Sequence, residues 1–417
     1  MLRTVRVLLS QAEYFLLCLV AFSLPAQAAI VVPGTSVTVV KAGGLLLIAV
    51  VMARRVLCKR APFAATGIDG ALALFALACA LSIPGSVDRD ASIRGMTLFV
   101  QYAVLFYAVS TAISEPPALR AFAPVFAGGA AFSGVLAVLA SAELGVRPTV
   151  DMATLTLGIR RICVGHPDAN QQALFLVFGL ACLLFEPAVW STRIRQAAAI
   201  LGGIAIAAGL ALTMSRTGWA ISAVIVLWRL MLTRHRMTFA LLIGAIGAAG
   251  ALGLWAMKPD FIESVQRRVY EGAQAGDRST ASRVMHYARA GEEAVRGGWF
   301  GHGLDTAHAI GKDLTDPLGK PIGSTVHSVP ISFWIELGWF GLACFGWLWS
   351  AIGVQWVSAY RSARDEEYKS RVFSTGAVTL VYLAFSQIMP FIQISGLAIL
   401  LGFVMGTINA RTRSDTN

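Results

Sequence analysis

Apolar residues run along this chain in long blocks separated by short polar turns. In order, the blocks cover 14–32, 37–53, 68–84, 95–113, 121–142, 170–190, 196–214, 217–233, 238–257, 329–357, 372–390 and 391–409. About 20 mainly apolar residues cross a bilayer as a helix. Lipid admits only helices and closed barrels, and barrel strands read as short alternating segments rather than continuous runs. The pattern therefore predicts an all-α polytopic membrane protein of about 12 transmembrane helices. Residues 1–417 read as a single transmembrane domain with one large insertion, 258–328, between the ninth and tenth spans. A second long connection covers 143–169. Long loops in a compact protein are functional or disordered. The insertion carries Tyr270, Tyr287, Trp299 and Phe300, which is not a disordered composition. Within it, 282–296 reads as a short surface helix.

Composition agrees with the pattern. The chain is 56% hydrophobic and only 14% charged, and its mean hydropathy of +0.68 lies far from a soluble domain of this size. The net charge of +11 would suggest nucleic acid in a soluble protein. Here it is mainly an orientation signal. With the N-terminus inside, about eighteen basic residues fall in inside segments and about seven in short outside ones, as the positive-inside rule requires. The inside clusters include Arg54, Arg55, Lys59 and Arg60, then Arg229, Arg234 and Arg236, then Arg361, Arg364, Lys369 and Arg371. This orientation makes both termini cytoplasmic and puts the long loop on the outer, non-cytoplasmic side of the membrane. Arg3 and Arg6, an apolar stretch and Pro25-Ala26-Gln27-Ala28 imitate a signal peptide, but the reading adopted is an uncleaved first helix. The six cysteines show neither a disulfide framework nor metal-ligand spacing, and Cys163 is expected outside.

Once the orientation is set, the polar motifs collect on the outer side. Five of six histidines fall there: His166, His286, His302, His308 and His327. Arg160-Arg161 and His166 precede the sixth span. They suit phosphate and hydroxyl contacts, while Asp168 or Asn170 suits capping of the next helix. Thr213-Met214-Ser215-Arg216-Thr217-Gly218 makes a tight turn between two spans. Arg216 there either binds a ligand or snorkels to the interface. On the loop helix, Glu293 lies four residues after Arg289, a spacing for a local pair, whereas Arg283 has no acidic neighbour three or four positions away. Arg283 is thus open to an external anion or to solvent. His327 stands at the outward tip of the tenth span and Glu336 about two turns further on, where a carboxylate must face protein or a cation. The sixth, eighth and tenth spans all start on the outside, and their N-terminal ends, which favour anions, would form a diphosphate cradle if they converge. Asp88-Arg89-Asp90 matches the Asp-x-Asp pattern of metal-dependent glycosyltransferases, a pair frequent by chance. No phosphate loop, zinc motif or Ser-His-Asp arrangement is evident.

These residues resemble a known family. Ser215-Arg216-Thr217-Gly218 is similar to the Ser-Arg-Thr-Gly turn of bacterial O-antigen ligases and related polymerases. Trp299-Phe300-Gly301-His302-Gly303 resembles the superfamily's Gly-x-Gly after a loop helix. His327-Ser328 followed by Glu336, Gly338 and Gly341 resembles its His-Asn…Glu-x-Gly-x-x-Gly stretch, and Gly165-His166-Pro167…Asn170 the turn before its central helices. The likeness spans 160–341; the first 140 residues match only as hydrophobic helices. Ser328 replaces the usual Asn, and Asp168 and Ala169 separate Pro167 from Asn170.

The resemblance implies a membrane-embedded glycosyltransferase. It would move a glycan from undecaprenyl diphosphate to lipid A–core on the periplasmic side, with no nucleotide sugar, metal or other cofactor. Arg216 and Arg283, with Arg161 in support, would stabilise the departing diphosphate, as fixed cations can. His327 would take the acceptor proton, and Glu336 would orient it or an arginine. His166, Asn170 and Arg289 complete the expected substrate contacts. The alternatives are an O-antigen polymerase, a protein O-oligosaccharyltransferase and, in another class, a lipid-linked glycan transporter. Transporters usually carry repeats and midplane charges; this chain shows neither.

Overall fold

The computed structural model describes residues 2–26, 38–146, 161–164, 166, 168–232, 244, 266, 278–313, 326, 328–387 and 394–414. All regular elements among them are helical. In chain order they are α1 (Leu2–Ala26), α2 (Val39–Leu57), α3 (Asp69–Ser82), α4 (Arg89–Ile113), α5 (Pro116–Ser141), α6 (Ala169–Phe185), α7 (Arg193–Leu212), α8 (Arg216–Leu232), α9 (Arg278–Arg296), α10 (Ala307–Asp313), α11 (Val329–Ser362), α12 (Glu366–Ser386) and α13 (Ile394–Ser414). A 3₁₀ turn, Pro187–Trp190, links α6 to α7. Eleven of the expected spans coincide with helices in this set; 238–257, apart from residue 244, lies outside the described residues. Five described helices are long and apolar enough to cross a membrane: Thr4–Ala26, Arg89–Ile113, Pro116–Ser141, Arg193–Leu212 and Val329–Ser362.

Helix starts follow local chemistry. Thr38, Asp88, Asp168, Thr192, Ser328 and Asp365 each place a side-chain oxygen on a free N–H of the first turn. Each cap contributes about 1 kcal/mol. Asp88 therefore has a structural task in the Asp-x-Asp segment, accepting from Ala91 N at 2.9 Å.

The bundle centres on α5 and α6. Phe122, Phe126, Phe175, Phe178 and Phe385 are among its largest fully buried side chains. Helix α1 packs on α2 and α5 through Leu17, Val20, Ala21 and Leu24, so the segment that imitates a signal peptide is part of the core. Small residues let helices touch in lipid, where apolar side chains gain little by association. A Cβ at Gly134 would lie 2.1 Å from Ala205 O, and one at Gly209 would lie 2.6 Å from Gly134 Cα. Helix α13 meets α4 through Gly402 and Gly406, one turn apart, in the same way.

Two part-buried ion groups lie at the end of the bundle where α5, α7 and α12 begin. Glu13 and Glu115 share Arg54. Arg371 joins Glu186, at the end of α6, and Glu367. At the opposite end, α9 lies across α11, and Tyr287 donates to Gln387 O beyond α12 at 2.9 Å.

Candidate active site

The Ser-Arg-Thr-Gly turn is held by three residues from two motifs. Asn170, in the first turn of α6, presents Oδ1 to Arg161 Nη2 at 2.8 Å and to Ser215 Oγ at 2.9 Å. Arg161 Nε also donates to Thr213 O at 3.0 Å, and Ile162 N to Leu212 O at 3.0 Å. The chain before α6 is thereby laced to the turn between α7 and α8. Met214 takes φ 51, a left-handed conformation costly for a side chain of its size, and this sharpens the turn. Ser215 Oγ accepts from Gly218 N, which makes it the cap of α8 as well as the donor to Asn170. Gly218 brings α8 against α6: a Cβ there would lie 3.0 Å from Ala173 Cβ. Arg216 then occupies the first position of α8, half-buried beside two helix N-terminal ends. Ser215 and Gly218 thus each have a physical reason in the motif.

His166 departs from its expected surface position. It is 1% exposed. Its Nε2 bonds Pro25 O at 2.8 Å, and its ring stacks on Phe175. A carbonyl partner requires a proton on Nε2, while Nδ1 is buried and unpartnered among the described residues. Burial lowers its pKa to about 4. The imidazole thus ties the end of α1 to the start of α6 rather than facing water. Cys163 is likewise fully buried.

The loop motif and the tenth-span motif form one interlocked unit. At Gly338 the helix α11 breaks, with φ 66 and ψ −162. In an unbroken helix Trp339 N and Phe340 N would bond Ile335 O and Glu336 O. Here they bond Gly298 O and Trp299 O, at 3.2 and 3.1 Å. The released carbonyls of Ile335 and Glu336 accept from His302 N and Gly303 N, each at 2.9 Å. The turn at 298–303 is thus inserted into the helix ladder, and every freed group regains a partner. Three glycines make this feasible. A Cβ on Gly301 would sit 2.4 Å from Glu336 O, one on Gly303 2.1 Å from Ser86 Oγ, and one on Gly338 2.5 Å from Gly298 O; all three have positive φ.

Glu336 lies in this clasp, 1% exposed, and its Oε1 accepts from Ala307 N at 3.2 Å, holding the start of α10. The carboxylate therefore faces protein, and its described partner is backbone, not a cation. His302 Nε2 bonds Glu293 O at 3.0 Å, closing the loop onto α9. Arg289 corrects the expected pairing. It bonds Glu292 at 2.8 Å, while Glu293 is taken by Arg296. Two adjacent carboxylates let each arginine use an i,i+3 partner. The side chain of Arg283 and the whole of His327 lie outside the described residues. Their flanks are described: Arg283 belongs to α9, and Ser328 caps α11 by accepting from Ile331 N.

Of the three helix starts expected to converge, those of α6 and α8 are joined directly through Asn170 and Ser215. The α11 end packs instead on α9 and α10, where Val326 and Ile335 meet Ala290, Ala294 and Ala307. Below that end lies an apolar cavity of about 140 Å³ between α3, α4, α11, α12 and α13. Phe75, Phe99, Phe333 and Trp349 line it, and Val329 lies at its α11 side. Asp305 borders it with φ 64, a half-buried carboxyl that the sequence did not single out. Burial raises its pKa, opposed by nearby Arg94 and His308, with Asp88 adding to the rise. Its only sequence signal is its place two residues after Gly303.

Fold and site together define a polytopic helical membrane protein whose polar motifs gather at helix starts and around one clasped loop. Residues 173–346 match the family described as O-Antigen ligase, which bears out the resemblance to the O-antigen ligase superfamily. Members of this family are glycosyltransferase-like enzymes of lipopolysaccharide biosynthesis. Arg216, Arg283, Arg289, His327 and Glu336 fall inside the matched stretch; Arg161, His166 and Asn170 precede it. No curated protein matches the chain.

Proposed function

We propose that this protein is an O-antigen ligase that transfers a glycan from undecaprenyl diphosphate to lipid A–core at the periplasmic face of the inner membrane. The observation that carries the proposal is the Arg161–Asn170–Ser215 junction, which fixes Arg216 at the joined ends of α6 and α8. Two arginines and two helix N-terminal ends suit a diphosphate. Arg283, from the loop helix, is the third cation. Arg289 already pairs with Glu292 and is the weaker choice.

In the reaction an acceptor hydroxyl of the core attacks the anomeric carbon of the donor. The bond from that carbon to the diphosphate oxygen breaks, and undecaprenyl diphosphate leaves with the electron pair. His327 takes the hydroxyl proton. Arg216 and Arg283, supported by Arg161, stabilise the charge on the leaving group without a metal. A single direct displacement inverts the anomeric centre. Glu336, His166 and Asn170 act through the scaffold: the first fixes the loop, the second joins α1 to α6, and the third positions Arg161 and Ser215. The aromatic cavity beside Val329 suits the lipid tail.

The test is in vitro transfer in EDTA with purified protein, undecaprenyl-diphosphate-linked glycan and lipid A–core. Glycan appearing on the core supports the ligase. Lengthening of the lipid-linked glycan alone makes the protein a polymerase. Neither product, with active substrates, moves the reading to transport.

A further inference from the structure

The aromatic cavity that suits the lipid tail is bordered by a carboxyl group with no part in the reaction as written above. Asp305 lines it together with Val329 and Ser332, in the first turn of α11. Among the described residues it is the one acidic or basic side chain in a lining of mainly aromatic and aliphatic groups.

The position of Asp305 is enforced from two sides. Its backbone takes φ 64, a region that costs a side chain energy and that Asp and Asn tolerate best. Helix α4 passes it at Gly95, where a Cβ would lie 2.9 Å from Asp305 Cβ. The preceding residues are stitched to the connection between α3 and α4. Leu304 N donates to Ser82 Oγ at 3.2 Å, Ser92 Oγ to Leu304 O at 2.8 Å, and Val87 N to His302 O at 2.9 Å.

A turn alone would explain an Asp here if its carboxyl bonded nearby backbone, as Asp does in turns and caps. It does not. Ala307 N, the free donor at the start of α10, goes to Glu336, and Thr306 Oγ1 bonds Gly303 O. The Asp305 side chain has no hydrogen bond or ion pair among the described residues; Arg94, His308 and Asp88 act on its charge from further off. A half-buried carboxyl, held in a costly conformation and with its acceptor sites open, calls for a ligand. Carboxylates repel phosphate and accept from hydroxyls. With the tail in the cavity and the diphosphate at its mouth, the next hydroxyl-bearing group of the donor is its first sugar.

We infer that Asp305 accepts a hydrogen bond from a hydroxyl of the sugar joined to the diphosphate, and so distinguishes glycan-bearing carrier from the sugar-free carrier that transfer leaves behind. The inference rests on the donor reading under Proposed function. It gives the site a direction: once the sugar has moved, the carrier loses this bond and keeps a carboxylate near its diphosphate.

The experiment titrates full-length protein in detergent with undecaprenyl-diphosphate-linked glycan, sugar-free undecaprenyl diphosphate and lipid A–core. Binding is read from tryptophan fluorescence, since Trp349 stands in the cavity wall. The variant is Asp305→Gly, because glycine adopts positive φ freely and preserves the turn. Glycan-bearing carrier is expected to bind about tenfold more weakly, a loss of about 1.4 kcal/mol. Sugar-free carrier should bind as well or better, lipid A–core unchanged, and the unfolding midpoint should stay close to wild type. Asp305→Asn, which keeps an acceptor oxygen, should fall between. Equal weakening for both carriers overturns the sugar assignment. Weaker lipid A–core binding with the donor unaffected overturns the choice of donor. If wild type binds neither carrier, the donor reading fails and this inference with it. Normal wild-type binding, unchanged in Asp305→Gly, overturns this inference alone.

Discussion

Two regions carry the family-like motifs, and they are held together differently. The junction around Asn170 is a side-chain construction: Arg161, Asn170 and Ser215 meet through three polar groups, and Arg216 follows from that arrangement. The clasp between 298–303 and 335–340 is a backbone construction, in which four N–H groups exchange partners around three glycines. A side-chain junction can lose one residue and keep its chain path. A backbone clasp cannot, because each bond depends on the path itself. Loss of function without loss of fold is therefore expected at the first, and joint loss at the second.

The largest expected effect lies in the clasp. Gly338→Ala puts a Cβ near Gly298 O in a backbone region hostile to side chains. The cost is about 3 kcal/mol or more, read as a lower unfolding midpoint with transfer lost in parallel. A normal midpoint would break the comparison.

Next comes pH. Unfolded His166 gains a proton near 6.5, the folded residue only near about 4. The folded state therefore loses stability as pH falls through that window, and keeps it above. The loss approaches about 3 kcal/mol at the acid end. Denaturation against pH should show the slope in wild type and a shallower one in His166→Phe.

Asn170→Ala sharpens the junction side. Arg161 and Ser215 lose their shared acceptor, at about 1–3 kcal/mol. The fold should persist while transfer falls more than tenfold; equal, small declines in both would deny the junction its positioning role. The smallest effect belongs to Arg289→Ala. Its pair with Glu292 is exposed and worth under about 1 kcal/mol, so stability and transfer should barely move, whereas Arg283→Ala should abolish transfer with a normal midpoint.

Much of this was legible in the sequence. The apolar blocks marked the helices, since burial in lipid demands continuous apolar length. The capping role of Asp168 followed from its place before an apolar run. Other features depended on tertiary geometry. Nothing local reveals that His166 reaches Pro25, far away in sequence, and so leaves the surface. Spacing alone allowed Arg289 either neighbouring carboxylate, and Arg296 decided the outcome by taking Glu293. Gly338 read as part of a motif, but its reason, a turn inserted into the helix ladder, needs the partner segment in place. Asp305 carried no signal beyond its neighbourhood.

The central claim is that cations fixed at helix starts, with His327 as base, move the glycan. The most direct measurement is the transfer rate to lipid A–core for wild type, Arg216→Ala and His327→Ala, with the unfolding midpoint of each. The account predicts losses of a hundredfold or more in both variants at unchanged midpoints. Transfer near the wild-type rate in either stably folded variant would contradict it.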